Sequence, residues 1–329
     1  MEIAKALVPT GRADGDRPWP VAGGPKPLFP VANRPILFHN LEALRAAGVL
    51  EPTLLVERDG ADAIGRAVGN GSEWGLAVRY AEYVPANGLS GALAAGDPFV
   101  GDEPVLVQLG DALLAGRLHE HIAAFAREGL DALVLQLERP LGHAGRWPEP
   151  ALMLSPSAFS MLMASPQAAA DPVAGVRAWG GHVRVQRVDG CLPCHGKQES
   201  VLDCNRRMLE GLVGDVADGQ LSDCRVQGEL VVHPSASVER SVLRGPAIIG
   251  PGARLSDAYV GPYTSIGADV VIEAAEIEHS IVLSGAELRF LGTRLESSVI
   301  GADARVVRSF AVPNAMRMTV GDGADVQLA

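Results

Sequence analysis

Hydrophobic and polar positions follow two regimes along the first two hundred residues. Residues 3–8 form a run of strand length that is apolar apart from Lys5. Residues 36–47 place Ile36, Leu37, Leu41, Leu44 and Ala47 on one stripe, the mark of an amphipathic helix. Further strands are predicted over 53–56, 77–80, 104–109, 133–137 and 151–154, with helices over 61–69 and 119–128 between them. Short apolar runs separated by helices predict a parallel sheet covered on both faces, a doubly wound, Rossmann-like α/β domain.

The regime changes after Gly219. Over 227–307 the helix period disappears, and Gly, Pro and Ser punctuate single aliphatic residues. These recur six apart, as in Val232 and Val238, Ile249 and Leu255, and Val260, Ile266 and Ile272, with five-residue slips between runs. Turn residues follow them in Ile249-Gly250-Pro251-Gly252 and Val260-Gly261-Pro262. A six-residue period fits a parallel β-helix that buries one aliphatic residue per face of each coil. A Gly-rich antiparallel sandwich would need period-two alternation, which is scarce here. Residues 202–212 read as a connecting helix. The division expected is an α/β domain over 1–220 and a β-helix domain over 221–329.

Composition narrows the function. With 28 basic and 39 acidic residues the net charge is -11, which argues against nucleic acid or an anionic membrane as partner. Neither a spanning apolar stretch nor a secretory segment is visible. Four cysteines are too few for a disulfide scaffold, so a reducing cytoplasm is expected. Aromatic residues make up only 5% of the chain, so aliphatic stacking must supply much of the core.

Several motifs stand in order. Lys5-Ala6-Leu7-Val8 is followed by Gly24-Pro25-Lys26-Pro27-Leu28-Phe29-Pro30-Val31-Ala32-Asn33-Arg34-Pro35, then Leu109-Gly110-Asp111, Asp203-Cys204-Asn205-Arg206-Arg207 and the six-residue repeats. Together they resemble the sugar-1-phosphate nucleotidyltransferases, most closely the long bacterial glucose-1-phosphate thymidylyltransferase-like proteins. The resemblance spans nearly the whole chain and implies a left-handed β-helix tail. It also implies attack of a sugar phosphate on the α-phosphorus of a nucleoside triphosphate, with magnesium as cofactor. By this resemblance Asp111 is a magnesium ligand, Lys26 touches phosphate, and Gly11, Arg12, Gly88, Leu89 and Gly110 lie at the nucleotide. Glu138 and Asp171 fall in the sugar region, although the 138–150 loop is shorter than in the family.

Other positions depart from the family pattern. Its G-G-x-G-T-R-L-x-P loop reads Pro9-Thr10-Gly11-Arg12-Ala13-Asp14-Gly15-Asp16-Arg17-Pro18-Trp19-Pro20. Asp16 stands where the catalytic Arg is expected, and Asp14 replaces a glycine. Carboxylates facing a triphosphate repel it, and Pro18 and Pro20 remove backbone donors. The second magnesium carboxylate is replaced by Cys194 and a phosphate-binding Lys by Pro193; a thiol is a poor ligand for magnesium. Ala168 replaces an acidic sugar contact and Gly91 a polar base contact.

Cys191, Cys194, His195 and Cys204 have zinc-ligand types and spacing, and Cys191-Leu192-Pro193-Cys194-His195 has c-type haem spacing. Drift at an altered site is the simpler reading of both. His233 and His279 are the candidates for acyl transfer by analogy with β-helix enzymes. The expectation is a degenerate homologue lacking ordinary nucleotidyl transfer, with weakened magnesium binding. It would act as a nucleotide- or sugar-nucleotide-binding or regulatory protein, self-associating or paired with an active paralogue. The alternatives are an active enzyme with rebuilt phosphate contacts, and new chemistry at Cys194 and His195.

Overall fold

A computed structural model describes residues 3–10, 24–84, 87–114, 118–138, 149–191, 198–212 and 220–308. The chain divides into two compact units. One comprises residues 1–16, 24–29 and 35–192; the other comprises 17–23, 30–34 and 193–329.

The first unit is built on a seven-stranded sheet. Its strands are β1 (Lys5–Pro9), β2 (Glu51–Val56), β3 (Arg79–Glu82), β4 (Val105–Gln108), β5 (Ala132–Leu137), β6 (Ala151–Leu154) and β7 (Val183–Val188). They lie in the order β7-β5-β6-β4-β1-β2-β3. Every pairing is parallel except those of β6, which runs antiparallel to β4 and β5. This corrects the all-parallel expectation. The 138–150 link carries no helix pattern, and a strand that rejoins its neighbour without a crossover runs antiparallel.

Helices α1 (Ile36–Ala46), α2 (Arg58–Val68), α3 (Gly88–Val100) and α4 (Leu118–Glu128) connect the strands. α5 (Pro156–Ala164), α6 (Pro166–Ala170) and α7 (Pro172–Trp179) follow β6. One face of the sheet buries Leu37, Leu41 and Leu44 of α1 with Phe125 of α4; the other buries Leu93 of α3 with Phe159 and Leu162 of α5. Gly96 lets α3 approach β1, because a Cβ there would lie 2.2 Å from Leu7 Cδ1.

The second unit contains α8 (Gln198–Glu210) and a parallel β-helix of the left-handed kind. Its short strands form three parallel sheets of six, five and five strands. Gln220 pairs with Ser237 and Ser237 with Arg254, so one coil takes 237 − 220 = 17 residues. Two sides of six and one of five give this length. Register aligns Val238, Leu255, Ile272 and Leu288 in one column, and Leu243, Val260 and Ile277 in another. A third column holds Val232, Ile249, Ile266 and Val282. All are buried, and they form a core without one aromatic ring.

Ion pairs between coils decorate the outside. Arg240 forks onto Asp257 at 2.9 and 2.8 Å, and Arg294 reaches Glu276 and Glu278 while lying 4.5 Å from the Tyr259 ring centre. Like-spaced opposite charges favour correct coil register, although exposed pairs each stabilise only weakly.

Candidate functional site

Doubly wound sheets bind ligands at the carboxyl ends of their strands. β4 ends there at Gln108, and the chain turns through Leu109, Gly110 and Asp111. Three backbone hydrogen bonds fix this turn. Gly110 N–H donates to Pro9 O at 2.8 Å, Leu109 N–H to Pro150 O at 3.0 Å and Ala112 N–H to Leu109 O at 3.2 Å, while β1 is extended by Thr10 N–H donating to Leu55 O at 2.8 Å. Gly110 sits close here: a Cβ would stand 3.0 Å from Pro9 O and 3.2 Å from Thr10 Cγ2, tighter than an ordinary contact. The Asp111 turn therefore abuts the end of β1.

Gln108 and Asn40 lie beneath the turn, both buried. Asn40 Nδ2 donates to Gly110 O at 3.0 Å, with Leu109 O at 3.5 Å, and Gln108 Nε2 donates to Asn40 Oδ1 at 3.0 Å. Sequence reading assigned neither residue a role. The available signal was that Asn40 falls on the apolar stripe of α1 between Leu37 and Leu44, where a polar side chain requires a partner.

Past Asp111, Leu113 and Leu114 pair antiparallel with Gly190 and Cys191. This ribbon sets Gly190 and Cys191 beside the chain that leaves the Asp111 turn. Pro193, Cys194 and His195, with Gly11, Arg12, Asp14 and Asp16, lie outside the described residues. Cys191 is disulfide-bonded, as is Cys204, so neither is in the thiolate form that binds zinc. Cys224 is a free thiol.

Lys26 opens a single 3-10 turn, Lys26–Leu28, next to α1. Gly88 is the first residue of α3, with φ +57°, and Leu89 is buried behind it. Glu138 follows β5 on the surface, held by its N–H donating to Val188 O at 3.1 Å. Asp171 caps α7, accepting from Ala174 N–H at 2.9 Å, so its carboxylate has a structural duty. Its charge also reaches Glu149, a residue the sequence reading passed over. Burial pushes the Glu149 carboxyl above its ordinary range and the Asp171 charge adds to this, against a lowering backbone hydrogen bond. Glu149 Oε2 is enclosed and has no hydrogen-bond partner.

His233 and His279 sit at β-helix corners. His233 Nδ1 is 2.8 Å from Ser235 Oγ, and His279 Nδ1 is 3.2 Å from Ser297 Oγ. Both are engaged in corner packing.

Among the described residues, no group of three or more His, Cys, Asp or Glu side chains gathers as a metal cage. Magnesium does not require one, since it is commonly held by one or two carboxylates with substrate phosphates and water. Asp111, a hard oxygen donor on a fixed turn, fits as one such ligand. No described helix is long and apolar enough to cross a membrane.

A family model for nucleotidyl transferases matches residues 13–143. Over 363 aligned positions the chain is 31% identical to the glucose-1-phosphate thymidylyltransferase of Streptomyces griseus, covering 99% of both chains. Against the Streptomyces antibioticus protein of the same name it is 31% identical, covering 98% of this chain and 99% of the other. The low-salt glycan biosynthesis nucleotidyltransferase Agl11 of Haloferax volcanii is 28% identical, with 93% and 94% covered. Among solved structures, a candidate glucose-1-phosphate thymidylyltransferase from Bacillus anthracis in complex with a sucrose superposes with a TM-score of 0.54 at 17% identity. That match covers 64% of this chain and 97% of the other, and at this identity it speaks to fold alone. End-to-end identity with the Streptomyces proteins, on a sheet that carries the Gly110–Asp111 turn at its carboxyl edge, shows that the chain belongs to the sugar-1-phosphate nucleotidyltransferase family.

Proposed function

We propose that this chain is a degenerate sugar-1-phosphate nucleotidyltransferase that binds a nucleotide or sugar nucleotide and no longer performs ordinary nucleotidyl transfer. The observation that carries this reading is the sequence at residues 9–20. Transfer joins a sugar-phosphate oxygen to the α-phosphorus and expels pyrophosphate, so charge builds on the leaving phosphates. Arg and backbone N–H groups normally meet that charge. Here Asp14 and Asp16 stand in the loop instead. At 4 Å and an effective dielectric of 20, each carboxylate facing a phosphate charge opposes it by about 4 kcal/mol.

Asp111 and Lys26 support retained binding. Magnesium, when bound, neutralises phosphate charge; Asp111 would hold it with phosphate oxygens, and Lys26 would meet the phosphate directly. With Cys194 in place of the second carboxylate, the metal is held less strongly. The protein then serves as a binding or regulatory partner, through self-association or beside an active paralogue.

The test is pyrophosphate release with magnesium, each nucleoside triphosphate and a panel of sugar 1-phosphates, followed by calorimetry with nucleotides and nucleoside-diphosphate sugars. Binding without turnover is expected. Turnover with any pair overturns the proposal. It would establish the second reading, an active enzyme making a nucleoside-diphosphate sugar with Arg12 or Arg17 serving the phosphates, which the end-to-end 31% identity favours. A covalent adduct at Cys194 would support the third, new chemistry using Cys194 and His195.

A further inference from the structure

We propose that Asn40, oriented by Gln108, is the positioning residue for the Asp111 turn, setting where that carboxylate stands at the carboxyl edge of the sheet. The inference rests on the reading that Asp111 still meets a metal-bound nucleotide.

The hydrogen bonds give the pair one arrangement. Asn40 faces two backbone carbonyls, Gly110 O and Leu109 O, so its Nδ2 must point to them as donor and its Oδ1 away. Gln108 then meets Asn40 Oδ1 and must present its own amide nitrogen. Both side chains lose their rotational choice, and the carbonyl of the residue preceding Asp111 is held from below by a group anchored in α1.

The same arrangement leaves Gln108 Oε1 without a donor, on a residue only 1% exposed. A buried acceptor with no partner destabilises the fold, and replacing both members of such a pair by apolar groups of similar size is often neutral or stabilising. Their chain neighbours on the buried faces are apolar: Leu37 and Leu41 flank Asn40 on α1, Leu106 precedes Gln108 on β4, and Ala151 of β6 pairs with Gln108, all four within the hydrophobic core. A hydrophobic pair would fill this position more simply. What it could not do is hold the Gly110 carbonyl. The network is therefore best explained by its hold on the turn, because fold stability alone gives no reason for it.

The deciding experiment compares wild type with the double variant N40L/Q108L in three measurements. Thermal unfolding reads the fold, and amide hydrogen exchange over 109–112 reads the turn. Electron paramagnetic resonance of Mn2+ titrated with thymidine triphosphate reads the carboxylate. The expected result is a midpoint no lower than wild type, exchange at Gly110 to Ala112 at least tenfold faster, and Mn2+–triphosphate binding at least tenfold weaker. A merely structural pair would lose midpoint and binding together. Unchanged exchange in the turn overturns the inference, as does faster exchange with undiminished Mn2+–triphosphate binding. If exchange responds but wild type itself binds no Mn2+–triphosphate, positioning of the turn stands and the nucleotide-binding reading falls. Should the double variant not fold, Asn40→Ser, which keeps a polar group too short to reach the carbonyls, is put through the same three measurements against the same criteria.

Discussion

Replacing Asn205 tests how the second unit is tied together. This side chain is fully buried in α8 and makes three hydrogen bonds. Its Oδ1 accepts from Ala32 N–H at 2.9 Å and from Ser265 Oγ at 2.7 Å, and its Nδ2 donates to Tyr263 O at 3.1 Å. In Asn205→Ala the Ser265 hydroxyl can rotate toward another acceptor, whereas the Ala32 amide and the Tyr263 carbonyl are fixed. Each buried backbone group left unpaired costs about 1–3 kcal/mol, so the two together cost about 2–6. A water in the vacated space would restore part of this, placing the expected loss at about 2–4 kcal/mol. Native-state hydrogen exchange is the suitable assay because it reads the Ala32 amide directly and needs no two-state assumption for a chain of two units. Asn205→Asp keeps the acceptor but sets a buried carboxylate against the Tyr263 carbonyl, so it should destabilise more than alanine at neutral pH. Burial would raise the new carboxyl's pKa, and its penalty should therefore shrink on acidification. A loss below about 1 kcal/mol for alanine, with Ala32 protection intact, would refute this account.

Glu149→Gln should stabilise the protein at neutral pH. The folded pKa of Glu149 is raised, so its unfavourable contribution is absent below the ordinary value of 4.5 and grows as pH rises through the folded value. Chemical denaturation at pH 4 and pH 8 checks the sign, and a stability difference that does not widen with pH contradicts it. Restoring the second carboxylate and the lysine with Cys194→Asp and Pro193→Lys should strengthen magnesium binding at least tenfold, measured by calorimetry with a nucleoside triphosphate. Unchanged affinity would mean that the pocket beside Asp111 no longer has the family's geometry.

The hydrophobic pattern revealed six of the seven sheet strands because they are largely apolar runs, but it passed over β7, whose Val183–Val188 sequence alternates with arginine and glutamine and is only half buried; it revealed the β-helix because each coil repeats the same corner chemistry. It passed over α3, whose Ala- and Gly-rich sequence has a weak polar face and contains Pro98. It also missed α5, α6 and α7, although Ser155-Pro156, Ser165-Pro166 and Asp171-Pro172 each join a capping residue to a proline in the first turn. Those short helices are specified at their starts more clearly than along their lengths. The Gly110–Asp111 turn was singled out from its motif, whereas the buried polar side chains of Asn40, Gln108 and Glu149 were not. Their roles arise from neighbours distant in sequence, and single polar residues on buried faces were the one clue.

Survival of the family motifs in this chain follows structural duty more closely than chemical duty. Asp203 accepts from Arg206 and Arg207, each at 2.8 Å, and despite its partial burial these contacts hold its carboxyl below the usual range. Asn205 joins α8 to residues 32, 263 and 265, and Asn33 Nδ2 donates to Ile266 O at 2.5 Å. Gly110 sits close against the end of β1. These matching residues would be retained by a fold with no reaction to perform. By the family resemblance, the positions that differ, Asp14, Asp16, Pro193 and Cys194, are those expected to serve phosphate or metal. Under the proposed function Lys26 and Asp111 break this division, since both would serve the chemistry and both match the family pattern. On the proposed reading, a carboxylate at 111 and a lysine at 26 can still meet a metal-bound phosphate while Asp14 and Asp16 oppose the charge that builds during transfer, so binding without turnover is the outcome this reading expects.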